Sequence, residues 1–245
     1  MKKILIFLLI SSLAAQTVHA SVEAFEVGPG NTDQLPKGKE ADGIIGDLIL
    51  RNNKITAVIS GNQPLRRANM STFYGNGGIT PGCLYDLTFN DRQNDQLTIF
   101  APGNQRGNVS HVRIVNAGGN EIGSVAEIEV VVDAARNNGL NKKHVYRINS
   151  VSQGVWITTT YRNDSKQVRK GSVDDYWKPS GKKGTFAGVR WIDAIDPADR
   201  CGYATAWLNS TKILSSLTKT PSQLTLKPGE SATFTRFIAV GVSPA

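Results

Sequence analysis

Along most of the chain, apolar and polar residues alternate with a period of two, in short runs separated by turn-forming residues. Gly46-Asp47-Leu48-Ile49-Leu50-Arg51 and Lys54-Ile55-Thr56-Ala57-Val58-Ile59-Ser60 flank Asn52-Asn53. Asparagine tolerates the positive φ angles of a two-residue turn, so this segment is predicted to be a β-hairpin. Similar β-favouring runs follow at Leu84 to Phe89, Gln96 to Ala101, His111 to Val115, Ser124 to Asp133, Lys143 to Ile148 and Gly154 to Tyr161. The last runs are Ala204 to Leu208, Ser222 to Leu226 and Ala232 to Val242, with Lys227-Pro228-Gly229-Glu230 as a turn. Within Gly154 to Tyr161, alternation places Val155, Ile157 and Tyr161 on one side and Trp156, Thr158 and Thr160 on the other.

No long stretch carries the 3.6-residue period of an amphipathic helix, and Ala187 to Ala194 is at most a short one. A series of about eleven such strands in one domain predicts an all-β fold of two large antiparallel sheets packed on each other. The expected organisation is a signal segment at 1–20, an irregular lead at 21–43, and a single β domain at 44–245. The lead is polar and rich in Gly and Pro.

The first twenty residues have the layout of a secretory signal. Lys2 and Lys3 precede the apolar run Ile4 to Ile10, and Val18-His19-Ala20 presents a cleavage site. That run is far shorter than the ~20 apolar residues of a membrane-spanning helix, and no later segment offers one. An exported protein, periplasmic or extracellular, is the expectation. The formal charge of +8 loses two lysines with the signal, and the rest is scattered. Nucleic-acid binders concentrate basic residues in a stripe near stacking aromatics, and this sequence does not. In an oxidising compartment, Cys83 and Cys201 are expected to pair as a disulfide. Closing so long a loop would stabilise the fold by roughly 4–5 kcal/mol.

Candidate chemistry is sparse. After the signal only His111 and His144 remain, and no nucleophile elbow, His-Glu-x-x-His or Cys-x-x-Cys motif is present. Asp193, Asp196 and Asp199 are closely spaced carboxylates, but without the alternate-position pattern and glycine turn of a helix-loop-helix calcium site. Paired carboxylates for glycoside hydrolysis would have to come from Asp174-Asp175 and one of these. No cofactor is predicted. The most suggestive segment is Asp174-Asp175-Tyr176-Trp177-Lys178-Pro179, loop-like yet aromatic. A sugar ring stacks its apolar face on an aromatic ring and satisfies its hydroxyls with neighbouring polar groups. Tyr176, Trp177, Asp174 and Asp175, with Trp191, are therefore the candidate carbohydrate-binding residues. The competing expectation is that Trp177 packs beneath its own loop.

Gly46 to Ile59, the Gly77-Gly78 pair before Leu84-Tyr85-Asp86-Leu87, Thr160-Tyr161-Arg162-Asn163, Asp196 to Tyr203 and the closing Leu226-Lys227-Pro228-Gly229-Glu230 with Arg236 to Gly241 carry a resemblance. Together they resemble the β-supersandwich domain, related to the galactose-mutarotase-like fold, at the front of large secreted bacterial proteins. The resemblance covers most of residues 42–242, and its motifs mark strands and turns. It implies a supersandwich that is either catalytic or accessory in carbohydrate proteins. The two histidines and glutamate of the epimerases in that group have no counterpart here, so only the fold carries over. The leading expectation is a non-catalytic carbohydrate-binding or cell-surface module with a polysaccharide or surface glycan as partner. The rivals are a carbohydrate-active enzyme (epimerase, lyase or hydrolase) and a structural, protein-interaction domain.

Overall fold

The computed structural model describes residues 21–68, 78–178, 183–186, 189–193, 201–208 and 223–242. The regular structure in them is almost entirely antiparallel strand. One half of the molecule is built from β1 (Val22–Glu26), β2 (Leu48–Asn52), β3 (Ile55–Ile59), β4 (Leu84–Phe89) and β5 (Ile99–Ala101), with β11 (Tyr176–Lys178) at its edge. The other half comprises β6 (His111–Gly119), β7 (Val125–Val132), β8 (Asn141–Asn149) and β9 (Gly154–Arg162), then β16 (Ser231–Val242), β14 (Cys201–Leu208), β13 (Val189–Asp193) and β12 (Lys183–Phe186). A separate pair, β10 (Arg169–Ser172) and β15 (Gln223–Leu226), forms a two-stranded sheet.

The all-β prediction holds, and the two predicted sheets are hydrogen-bonded into one. Fourteen strands run in the order β11-β5-β4-β3-β2-β1-β6-β7-β8-β9-β16-β14-β13-β12. The halves join where β1 pairs with β6 through Val22 opposite Gly119 and Glu23 opposite Gly118. Gly118 is required at this seam: its φ is +92°, and a Cβ there would lie 2.0 Å from the Val22 carbonyl oxygen. The sheet then closes over itself. Leu50, Ala57, Leu84 and Phe100 from one half share a core with Ile128, Tyr146, Ile157 and Ile238 from the other. Period-two alternation makes this possible, because each long strand offers one apolar face to the interior.

Several expectations are corrected. The lead at 21–43 is not irregular throughout, since Val22 to Glu26 is the seam strand, with Val22 and Ala24 buried. Five residues beside a polar stretch are too few for their alternation to stand out. The Asn52 hairpin forms, but neither Asn52 nor Asn53 adopts positive φ. Instead the Asn52 side chain accepts from the Lys54 and Ile55 amides and donates to the Asn149 and Ser152 carbonyls, tying the turn to the opposite half. Val189 to Asp193 is strand rather than short helix.

The Cys83–Cys201 disulfide is absent, and both cysteines are free and buried. Cys83 packs with Ala68, Tyr85, Ile99 and Ala101, whereas Cys201 lies in the main core beside Tyr203. The two thiols belong to different apolar clusters, an arrangement that gives the paired geometry of a disulfide no support.

One buried polar region reinforces the first half. Asp47 accepts from the Ile44 and Gly61 amides and from the Arg66 guanidinium, whose Nη2 is 2.6 Å away. Asp86 accepts from the Asp42 and Gly43 amides, and Asp95 from the Leu87 amide and the Tyr203 hydroxyl. Burial pushes the Asp86 carboxyl up to about 8. Burial, followed by the charge of Asp86, holds Asp95 well above the ordinary carboxylate range.

Candidate functional site

The predicted aromatic loop is in part a strand, and its residues divide between two faces. β11 pairs with β5, setting Tyr176 opposite Ala101 and Trp177 opposite Phe100. Trp177 is buried in the main core, edge-on to Phe100 at 6.1 Å, with the Arg190 guanidinium 5.7 Å from its ring centre. Asp175 shares that side and is buried. Tyr176 turns the other way onto the Cys83 cluster, half-buried beneath Arg106. Asp174 is half-exposed. Trp191 lies on a different surface, its ring across Gly184, where a Cβ would come within 2.5 Å of it. The five residues are therefore not gathered into one aromatic patch.

Asp175 instead joins an interior polar cluster on the inner face of β8, β9, β16 and β14. Register sets Lys142 opposite Tyr161, His144 opposite Thr159, and Arg236 opposite Trp207. The Arg236 Nε and Asp175 Oδ2 are 2.9 Å apart, but off the N–H direction, so this contact is electrostatic rather than a hydrogen bond. Asp175 Oδ1 accepts from the Gly103 amide. Arg236 Nη2 donates to Thr159 Oγ1 at 2.8 Å, and that hydroxyl also meets His144 Nδ1 at 2.8 Å. Lys142 Nζ donates to the Gly103 carbonyl.

Burial governs the ionisation here. It raises Asp175 to about 6 against the pull of Arg236, and lowers Lys142 to about 8. Burial, with the charges of Lys142 and Arg236, holds His144 far below its ordinary value, so the ring is neutral. Burial also raises the Cys83 thiol to about 12, which makes it a poor nucleophile.

The outer face of the same strands presents a second arrangement. Val155, Ile157, Ile192, Tyr203, Ile238 and Val240 point into the core. Their neighbours Trp156, Phe237, Trp191, Ala204 and Ala239 are half-buried on the opposite side. Trp156 and Phe237 face each other across β9 and β16 with ring centres 4.6 Å apart. Beside them Thr158 and Thr235 share a hydrogen bond at 3.1 Å. A shallow depression of about 350 Å³ runs along this surface, lined by Trp156, Thr158, Thr235, Arg147, Asn149 and Val125. Arg147 is also 3.5 Å from the Glu127 carboxylate. The outward direction of Trp156 was given by the alternation of β9. Its partner Phe237 could have been found the same way, since it alternates with Ile238 in β16.

The other candidates separate. His111 is a partly exposed strand histidine 3.2 Å from Glu129, which also binds Arg113. Asp196, Asp199 and the Asp193 side chain lie outside the described residues. Among the described residues no group of three or more His, Cys, Asp or Glu side chains is placed to hold a metal ion. No described helix is long and apolar enough to cross a membrane.

No family model and no curated protein matches the sequence. Among solved structures, the chain is similar to a TPR-domain containing protein from Parabacteroides distasonis at 11% identity and a TM-score of 0.47, over 81% of this chain and 47% of that one. It is also similar to the galactosidase domain of an alpha-galactosidase-sucrose kinase, at 9% identity and a TM-score of 0.39, over 80% of this chain and 41% of that one. The chain thus spans less than half the length of either.

Proposed function

We propose that this is an exported, non-catalytic module that binds a polysaccharide or cell-surface glycan on the outer face of β8, β9 and β16. The carrying observation is the Trp156–Phe237 pair, half-exposed on a rigid sheet beside Thr158, Thr235, Asn149 and Arg147. Aromatic rings supply the stacking surface for a pyranose, and hydroxyl, amide and guanidinium groups answer its hydroxyls. A strand-borne platform also needs little ordering on binding, which favours affinity for a flexible polymer. Of the residues singled out from the sequence, Trp191 lies on this face and extends it toward β12. Trp177 and Asp175 are buried and support the sheet from beneath.

The enzymatic rival would need a histidine facing an acidic group in a cleft. His144 faces Thr159, and the His111–Glu129 contact is an open strand pair shared with Arg113. The test is retention of the purified protein on a panel of soluble and insoluble polysaccharides, with Trp156→Ala compared in parallel. One glycan class should retain the native protein, and Trp156→Ala should weaken retention about tenfold, in line with a lost stacking contact of 1–2 kcal/mol. Undiminished binding by Trp156→Ala would place the glycan site elsewhere. Retention by no glycan would favour the structural rival, and release of sugar during incubation would favour the enzyme.

A further inference from the structure

Among the described residues that line the outer depression, Arg147 is the one that carries a charge, and no carboxylate lines it. Strand register fixes where that charge stands. Arg147 is opposite Trp156, Trp156 is opposite Phe237, and on its other side Arg147 is opposite Glu127. The four form one row across β7, β8, β9 and β16, with neighbours about 5 Å apart. Glu127 therefore backs the arginine on the side away from the indole. It meets the guanidinium through Nε at 3.5 Å, and the arginine side chain stays 53% exposed. The two terminal nitrogens bond no other group among the described residues, so they are available beside the Trp156 ring.

The same face keeps an excess of positive charge farther along. Lys143 lies four residues before Arg147 on β8, on the same side of the sheet and about 13 Å away. His111, Arg113 and Lys143 all converge on one carboxylate, Glu129, at 3.2, 2.7 and 3.6 Å. One carboxylate cannot neutralise Arg113 and Lys143 together, even with His111 uncharged. A neutral sugar would leave this excess to solvent. A carboxylate answers it, and the planar guanidinium fork matches a carboxylate with two parallel hydrogen bonds.

We propose that the glycan taken by this face is acidic: a uronate ring stacks on Trp156 and its carboxylate is received by the terminal nitrogens of Arg147. This rests on the outer-face glycan reading above and names its substrate class. The carboxylate of a uronate projects from the edge of the sugar ring. Stacking on the indole thus sends it sideways, the direction in which the row places Arg147. Lys143 meets a later unit of the same polymer.

Polygalacturonate is the probe, and its fully methyl-esterified form, the same backbone without charge, is the control. Titration calorimetry on the whole protein should find polygalacturonate bound about tenfold or more tightly than the ester. Added salt should weaken the acid form more than the ester. Arg147→Gln should weaken polygalacturonate about tenfold and leave the ester unchanged. Lys170→Gln, which removes the same charge from an exposed position on β10, should change neither. If Trp156→Ala weakens both polymers and Arg147→Gln weakens neither, the glycan reading stands and this inference falls. Dextran sulfate bound as tightly as polygalacturonate, or an equal loss in Lys170→Gln, would mean unspecific charge attraction and overturn it. Binding of neither polymer overturns it as well, and the glycan reading is then decided by the neutral members of the polysaccharide panel.

Discussion

The molecule buries two sets of ionisable side chains and treats them differently. In the first half, Asp47 and Asp86 receive loop amides, Asp95 receives the Leu87 amide of β4, and Arg66 closes the set, with one oxygen of Asp95 left without a hydrogen bond. In the second half, Arg236 meets Asp175 off-axis, and His144, Thr205 and Trp207 present polar atoms to no partner. Buried charge stabilises only when its hydrogen-bonding capacity is used. The first set thus acts as a structural brace. The second leaves more of its capacity unused and contributes less to stability.

The largest effect is expected where the brace is removed. Replacing Asp47 with Leu and Arg66 with Met together should destabilise by about 4 kcal/mol or more. Both charges disappear, yet the Ile44 and Gly61 amides lose their acceptor, at roughly 1–3 kcal/mol each, and the Asp42 carbonyl loses its donor. Chemical denaturation measures it. A loss under 1 kcal/mol would mean that the brace contributes no more than an exposed ion pair.

Trp177→Ala sharpens the assignment of faces. A core tryptophan truncated to alanine loses about 3–5 kcal/mol. Glycan retention should be unchanged in whatever fraction stays folded, because Trp177 packs on Phe100 inside the sandwich. Reduced retention by folded Trp177→Ala, with Trp156→Ala unaffected, would reverse the reading of the two faces.

The two regions should also differ in their response to pH. A carboxyl raised by burial takes up protons more readily in the folded chain than in the unfolded one. The stability it contributes is full below its unfolded value and is lost as pH rises through its folded value. For Asp86 that window runs from near 4 to about 8, and for Asp175 from near 4 to about 6. Asp86→Asn should therefore flatten the fall in melting temperature up to about pH 8. Asp175→Asn should flatten it only up to about pH 6. Identical slopes in both variants and the native protein would show that neither group titrates in its window.

Much of this was legible in the sequence, and what was not has physical causes. β7, β8, β9 and β16 are long and rich in β-branched residues, so their faces follow from alternation alone. The strands from β10 to β13 are short, and Gly171, Lys178 and Gly184 interrupt the pattern. The segment around Trp177 consequently looked like a loop, although as a strand its alternation sends Asp175 and Trp177 inward together. The inner cluster left a trace that was readable: in β16 Arg236 alternates with Phe234 and Ile238, and in β8 Lys142 and His144 alternate with Tyr146 and Ile148. A charge on an apolar face is the signal of a buried polar site. Which strands bring these charges together is set by long-range pairing, such as β16 beside β9, and no local pattern contains it.

The smallest expected change is also the one that tests the contrast most directly. Replacing Asp175 with Leu and Arg236 with Met removes a buried charge pair of the same kind as Asp47 and Arg66. Here only the Gly103 amide loses an acceptor, and Thr159 loses a donor it does not need, since its hydroxyl still bonds His144. Apolar replacement also ends the desolvation of two ions whose mutual contact is off-axis. Stability should therefore stay within about 2 kcal/mol of the native protein, with a gain as acceptable as a loss. If this pair destabilises as much as the Asp47 and Arg66 pair does, both regions are structural braces. If stability holds, the brace belongs to the first half of the sandwich, and the charges of the second half are dispensable to the fold.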